Sequence, residues 1–266
     1  MKKALNTLEI ARNHAPTTPP PRRSLSDLIA ALNALAANSP NLIANHKAKF
    51  EIAGESYTLP RYLFLGSQGG DEPIRVGIFA TLDGNQPEGA YALIRFLRLL
   101  DANPEAATGY CLFIYPICNP TGFEDRTSHP RGGKGLAGDF WKDSSRPEVK
   151  LLQAEILFHS FHGAIALSAN EKINGFRGIA HGATLTRHLV EPAIEAAEQF
   201  LPIDQSIGFR GECTLSAPAG LRPRPFEVNL QSPAHAPAFL TECAFTTALH
   251  TILVEYRKFI AYARNL

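Results

Sequence analysis

The stretch IRVGIFATLDGNQPEGA, residues 74–90, contains the transition that decides the fold. Residues 74–80 form an unbroken apolar run, which is typical of a strand covered on both faces of a sheet. The Asp-Gly pair at 83–84 predicts a turn, and the Pro-Glu pair at 87–88 indicates the start of a helix. Because α/β proteins bind ligands at the carboxyl ends of their strands, the turn between the two elements is the first candidate site.

Apolar runs and helical periods alternate along the rest of the chain. A hairpin pattern with its turn near Gly54 precedes the first buried strand. Further strands are predicted at 109–117, 163–169 and 226–231, and helices at 88–100, from 147, at 184–200 and at 236–264. This order predicts one α/β domain with a largely parallel or mixed sheet.

The chain divides into two parts of different composition. Residues 1–45 predict an N-terminal helical extension with a Pro-rich connector at 15–24, and Ser24 or Ser26 is positioned to cap its helix. Residues 46–266 hold the predicted strands and helices of the α/β domain. We place the domain boundary between these two parts.

Composition limits the classes of function. The 266 residues are 45% apolar and 19% charged, with a net charge of +1, so no strong field would attract nucleic acid or an anionic membrane. No segment has the length and apolarity of a membrane span or the apolar core of a signal peptide. The four cysteines lack C-x-x-C spacing, and we interpret them as reduced and buried. We therefore expect a cytoplasmic protein that binds neither nucleic acid nor membrane.

Five segments in order resemble the zinc carboxypeptidase superfamily, most closely its succinylglutamate desuccinylase and aspartoacylase-like branch. They are GIFATLDGNQPEGA, YPICNPTGFED, GKGLAGDFW followed by PEVKLL, IALSANEKINGF and PFEVNLQSP. The resemblance runs from about residue 61 to the end of the chain. It implies an α/β fold with a mixed, mostly parallel eight-stranded sheet flanked by helices, and a site at the carboxyl ends of the central strands.

The resemblance also implies where a zinc ion would bind. In that family the first turn carries His-x-x-Glu, and a later strand ends in a third ligand, a His. The matching positions here are Asp83, Gln86 and Ser168. Zinc prefers imidazole, thiolate and carboxylate donors, and an amide carbonyl and a hydroxyl are weak substitutes. We therefore expect no zinc cofactor.

The other catalytic positions differ from the family in the same way. The general base of the family, a Glu, matches Gln231, whose amide cannot take up a proton near neutral pH. The Arg and Asn-Arg that clamp a substrate carboxylate match Ser128, Ala137 and Gly138, which offer no guanidinium. Asn170 and Arg177 follow the strand that ends near Ser168, and we expect them to face the same site.

These losses together predict a catalytically inactive relative, a pseudo-hydrolase with a polar and mostly uncharged pocket. Its ligand would be a small neutral polar molecule or a protein partner. One alternative is an active carboxypeptidase or N-acyl amino acid deacylase with a relocated metal site, for which His159-x-x-His162 is a candidate pair. A second alternative is an interaction subunit whose functional surface lies elsewhere. The oligomeric state and biological role do not follow from the sequence.

Overall fold

The computed structural model describes residues 21–69, 72–133, 135–180, 183–204, 215 and 226–264. Nine strands lie in this part of the chain: β1 (Leu42–Ala44), β2 (Lys47–Ile52), β3 (Glu55–Leu59), β4 (Tyr62–Leu65), β5 (Ile74–Ala80), β6 (Tyr110–Tyr115), β7 (Gly163–Asn170), β8 (Arg177–Ala180) and β9 (Phe226–Pro233). The principal helices are α1 (Leu25–Asn38), α2 (Glu88–Ala102), α3 (Pro120–Asp125), α4 (Pro147–His159) and α7 (Ala238–Arg264). Between β8 and β9 the chain forms α5 (Ala183–Leu185), a π-helical turn at Thr186–Val190 and α6 (Glu191–Ala197).

Seven of the described strands form one mixed sheet, in the order β1-β4-β6-β5-β7-β9-β8. The four central strands β6, β5, β7 and β9 are parallel, and β1, β4 and β8 are paired antiparallel at the two edges. The prediction of one α/β domain with a mixed sheet is confirmed. The described residues place seven strands in this sheet rather than the eight expected from the resemblance, because β2 and β3 pair only with each other.

The predicted hairpin splits into two structures at Pro60. β3 pairs with β2 around a turn in which Ala53 and Gly54 both have positive φ, whereas β4 joins the main sheet between β1 and β6. Proline cannot donate a ladder hydrogen bond, so it separates two strands that the sequence pattern merges. The two short edge strands, β1 and β8, were not predicted.

Helices cover both faces of the sheet. On one face α2 and α6 pack against α7, and Gly89 of α2 approaches Ala80 and Leu167 closely. On the other face α4 ends beside β6, where the rings of His159 and Phe113 are 4.2 Å apart. Among the described helices, none combines the length and hydropathy that a membrane span requires.

The predicted N-terminal extension packs onto this domain. Ser24 caps α1 by accepting a hydrogen bond from the Asp27 backbone N–H at 3.1 Å, as one of the two predicted caps. The buried side chains Leu28 and Leu32 join the hydrophobic core, and β1 pairs with β4. The boundary at residues 45–46 stays a prediction, since elements on both sides of it contribute to one sheet.

The described cysteines are buried and free, as predicted. They are Cys111, Cys118 and Cys243, whereas Cys213 lies outside the described residues. Cys118 lies beyond the end of β6 rather than in the same strand as Cys111, and burial raises its thiol pKa. These thiols are therefore part of the packed interior.

Two glycines allow the loop after β5 to contact the loop after β6. A Cβ atom on Gly84 would lie 2.0 Å from the backbone carbonyl carbon of Gly122 and 2.3 Å from the Phe123 nitrogen. Real Cβ atoms do not approach backbone atoms so closely, so one loop would have to move. The candidate site turn thus depends on a glycine at position 84.

We predict that Gly84→Ala destabilises the protein by about 1–3 kcal/mol, the usual cost of overpacking a tight contact. Gly138→Ala is the matched control, because a Cβ there meets no atom within 4 Å. The control is expected to change stability by less than about 0.5 kcal/mol. Urea unfolding of both variants checks this, and equal losses of stability would contradict the assigned contact.

Candidate functional site

The candidate site begins with a strained residue directly after β5. Thr81 has φ of 54°, a left-handed conformation that β-branched residues rarely adopt. Its side chain is buried, and its hydroxyl has no hydrogen-bond partner among the residues that the structure describes. Backbone strain of this kind costs about 1–3 kcal/mol and persists only where the surroundings impose it. The turn that follows is therefore held in place by its contacts with other loops.

Asn119 supplies most of those contacts. This fully buried residue N-caps α3, with its side-chain oxygen accepting from the Gly122 N–H at 2.9 Å. Its side-chain nitrogen donates to the carbonyls of Leu82 and Ser128, at 3.3 and 3.4 Å. Its backbone N–H donates to the Thr81 carbonyl at 3.1 Å. One side chain thus joins the loops after β5 and β6 and the loop around residue 128.

The site turn also contacts the carboxyl end of β7. The side-chain oxygen of Gln86 accepts a hydrogen bond from the Ala169 N–H at 2.7 Å. Next to it, the Ser168 hydroxyl donates to the side-chain oxygen of Asn229 on β9 at 3.1 Å. The structure therefore brings Gln86 and Ser168 together at one end of the sheet, as the sequence register predicted.

Gln231 connects the ends of three strands. Its side-chain oxygen accepts from Arg177 Nε on β8 at 2.7 Å and from the Asn170 side-chain amide on β7 at 3.4 Å. Ser168 and Arg177 are its register partners on the neighbouring strands. Since Leu167 faces α2, the alternation of side chains along β7 points Ser168 and Asn170 to the opposite face. On that face Ser168 is hydrogen-bonded to Asn229, and Asn170 and Arg177 are hydrogen-bonded to Gln231.

Asp83 is the only carboxylate among the candidate positions. Its side chain is partly buried and accepts no hydrogen bond from the described residues, whereas its backbone carbonyl accepts from the Gln86 N–H at 3.1 Å. Burial raises the pKa of the carboxyl group, and the nearby charge of His129 opposes that rise. A partly buried carboxylate needs compensation from N–H groups of the turn or from a basic neighbour. Among the described residues, no N–H group of the turn binds Asp83, and His129 is the basic neighbour whose charge acts on it.

The positions that match the substrate clamp of the family lie on loops. The Ser128 hydroxyl shares a hydrogen bond of 2.8 Å with His129 Nδ1. Ala137 and Gly138 are exposed on the 3-10 turn Leu136–Asp139. Neither has a polar side-chain atom, and Gly138 faces open space. This loop therefore offers no guanidinium or amide at the two positions predicted to have lost them.

The described residues do not fit a zinc ion. Gln86 Oε1 and the Ser168 hydroxyl are both engaged by hydrogen bonds to the protein, which leaves Asp83 as the sole anionic donor of the three positions. The described part of the chain contains no group of three or more His, Cys, Asp or Glu side chains that could hold a metal. One carboxylate cannot provide the tetrahedral set that structural and catalytic zinc sites use.

The structure separates the two histidines that we considered as a metal-binding pair. His159 ends α4 and lies 2.8 Å from Arg61 Nη1 and 3.3 Å from Glu155. His162 lies beyond the helix, and its Nδ1 accepts from the Arg75 N–H at 3.0 Å. His159 is the last residue of α4, where the helix dipole favours positive charge.

Three polar residues of the site were missed in the sequence. Asn229 had a usable signal, because residues 227, 229 and 231 are polar at alternate positions of an otherwise apolar strand. The sequence Asn-Pro-Thr-Gly at 119–122 is typical of a turn, whereas in the structure Asn119 caps α3. His129 had no sequence signal. Two further polar residues follow Ser168 in the sequence: Glu171 is exposed, and His181 lies outside the described residues.

Solved structures share this fold. A candidate metallopeptidase from Shewanella denitrificans matches with a TM-score of 0.70 at 18% identity, over 85% of this chain and 88% of the other. A metallo-carboxypeptidase from Burkholderia cenocepacia gives 0.69 at 15% identity, over 90% and 70%. Bovine thrombin-activatable fibrinolysis inhibitor, in complex with tick carboxypeptidase inhibitor, gives 0.63 at 14% identity, over 89% and 98%. The predicted resemblance is thereby confirmed at the level of the fold.

Comparison of the sequence with family models and with curated proteins gives no match. No protein-family model matches the chain, and no curated protein matches it. The site of this protein must therefore be interpreted from its own residues.

We predict that Asp83→Asn stabilises the protein at neutral pH. A carboxyl group whose folded pKa is raised costs stability once pH rises above its unfolded pKa, and protonation removes that cost at low pH. The difference in melting temperature between variant and wild type should therefore be close to zero near pH 3.5 and grow toward pH 7. Thermal melts across this range check it, with Asp143→Asn as the control, because Asp143 is exposed and Asn tolerates its left-handed backbone conformation. A variant that is less stable at pH 7 would contradict an unpaired Asp83.

Proposed function

We propose that this chain is a non-catalytic protein with a metallo-carboxypeptidase-like fold, which binds a small neutral polar ligand at the carboxyl ends of β7 and β9. The observation that carries the proposal is the hydrogen bonding of Gln231. At the position matching the family's general base, an amide oxygen accepts hydrogen bonds from Arg177 and Asn170. An amide in this role holds its neighbours in place and cannot take a proton from water.

The electrostatics of the site support this proposal. A metallo-hydrolase site combines a dication, a carboxylate base and guanidinium groups for a substrate anion. Here the polar groups at the sheet end are two Gln, one Ser, two Asn, one Asp and one Arg, and the Arg is already hydrogen-bonded. Amides and hydroxyls offer donors and acceptors in similar number without net charge. Such a surface favours amide, hydroxyl or carbonyl groups of a ligand.

The differences from the family affect the metal ligands, the general base and the substrate clamp together. A change of metal would explain Asp83 and Gln86, and a change of substrate would explain Ala137 and Gly138. Neither change explains why the base position is Gln231. General-base catalysis contributes about 10²–10⁴-fold, and metal, base and clamp act as a unit, so partial retention gives little activity. Loss of selection for catalytic activity explains the residues at all of these positions.

Metal analysis provides the first test. Protein purified without chelator is expected to contain no stoichiometric zinc, because the three ligand positions supply one anionic donor. Elemental analysis measures the zinc content per chain, with an Asp83→Ala variant as the comparison. About one zinc per chain would overturn the proposal: its loss in the Asp83→Ala variant would indicate a metal at the position matched to the family's site, and its retention would indicate a relocated metal site. Weak binding of a buffer cation by Asp83 alone is distinguished by its loss on dialysis.

Activity assays provide the second test. We expect no chelator-sensitive hydrolysis of C-terminal peptide bonds or N-acyl amino acids above background. The triple variant Asp83→His, Gln86→Glu and Ser168→His should gain zinc affinity, measured by competition with a chromophoric chelator, while hydrolysis stays absent. Adding Gln231→Glu separates the contributions of ligands and base. Turnover by the unmodified protein that is abolished by Asp83→Ala would contradict the proposal.

A further inference from the structure

A cavity lies between the start of α1, the start of α2 and the end of α3, away from the carboxyl ends of β7 and β9. It has a volume of about 390 Å³, within the range of small-molecule sites. Three arginines reach it, Arg22, Arg23 and Arg126. We call this depression the arginine pocket.

The arginines differ in how their charge is balanced. Arg22 forms ion pairs with Glu55 and Asp125, both at 3.2 Å. Arg23 donates to the carbonyls of the site turn, Gly84 at 2.8 Å and Asn85 at 3.3 Å, and has no carboxylate within ion-pair distance in the described part.

Arg126 is exposed, and its side chain makes no ion pair or hydrogen bond with the described residues. Its backbone is in the left-handed conformation that ends α3. Among the described residues neither Arg23 nor Arg126 has a carboxylate within ion-pair distance, although Asp27 and Glu88 lie in the same region.

These two charges repel each other. The pKa of Arg23 is lowered, first by burial and then by the charge of Arg126. Two acids face the same region: Asp27 lines the pocket, and Glu88 attracts Arg23 from beyond ion-pair distance. An anion between the two guanidinium groups would replace their repulsion with two charge-assisted interactions.

Apolar residues also line the arginine pocket. Leu28 and Ala31 of α1 and Ile94 of α2 form this apolar wall, and Tyr91, which is 41% exposed, lines the same pocket. A site lined by both cations and apolar side chains suits a ligand that is anionic at one end and apolar at the other. Inorganic phosphate alone would leave the wall without a contact.

We propose that the arginine pocket binds a small phosphate monoester that carries an aromatic or aliphatic group. The phosphate contacts Arg23 and Arg126, and the apolar group lies against Tyr91 and the wall formed by α1 and α2. A phosphate monoester carries about −1.5 to −2 charges at pH 7, which matches two unpaired guanidinium groups better than a carboxylate does. This site is separate from the polar group at the ends of β7 and β9.

The test uses phenyl phosphate, benzoate and inorganic phosphate, each titrated into the full chain by isothermal calorimetry at pH 7.5. Phenyl phosphate is expected to bind in the millimolar range or tighter, and more tightly than the other two probes. Arg126→Asn removes the charge while retaining a residue that tolerates the left-handed conformation, and should weaken phenyl phosphate binding about fivefold or more. Asp27→Asn should strengthen it by removing repulsion.

Two controls locate the binding. Lys150→Ala removes the same charge from the exposed side of α4 and should leave the affinity unchanged. Tyr91→Ala should weaken phenyl phosphate without affecting inorganic phosphate, since only the ring contact is lost. No saturable binding up to about 10 mM, equal binding of benzoate, or indifference to Arg126→Asn would each overturn the proposal.

Discussion

The hydrogen bonds of Asn119 are the constraint on which the candidate site depends. A single buried side chain joins the loop after β5, the start of α3 and the loop that follows α3, through Leu82, Gly122 and Ser128. Each of these backbone groups would be costly to bury without a partner, so the three segments are stabilised together. The close contact of Gly84 with Gly122 then leaves no room for another arrangement of the site turn.

The strain at Thr81 follows from the same constraint. A β-branched residue with positive φ and a buried, unpartnered hydroxyl is unfavourable by itself. It persists because the turn is held on one side by Asn119 and on the other by the hydrogen bond of Gln86 to Ala169. The fold thus keeps the geometry of a site even though the side chains at its ligand positions are weak metal donors.

Amide side chains hold the carboxyl ends of β7, β8 and β9 together. In a metal site, ligands are oriented by the cation that they share. Here Gln231 takes that connecting role, with Arg177 and Asn170 both donating to its oxygen. These hydrogen bonds connect β7, β8 and β9 through protein groups alone. The Asp83 side chain takes no part in these hydrogen bonds, and burial raises the pKa of its carboxyl group.

The order of strands and helices was readable from the sequence because it depends on local periodicity. The strand at 74–80, the helix from Pro147 and the long helix that ends the described chain all appear where their apolar patterns predicted them. The residue types at the candidate positions were likewise determined by the sequence alone. Their contacts were not, because the hydrogen bonds of Gln231 and Gln86 join residues 54 to 83 positions apart. Only the register of the folded sheet decides which of these side chains meet, and only the structure shows that the Asp83 carboxylate accepts no hydrogen bond from the residues described.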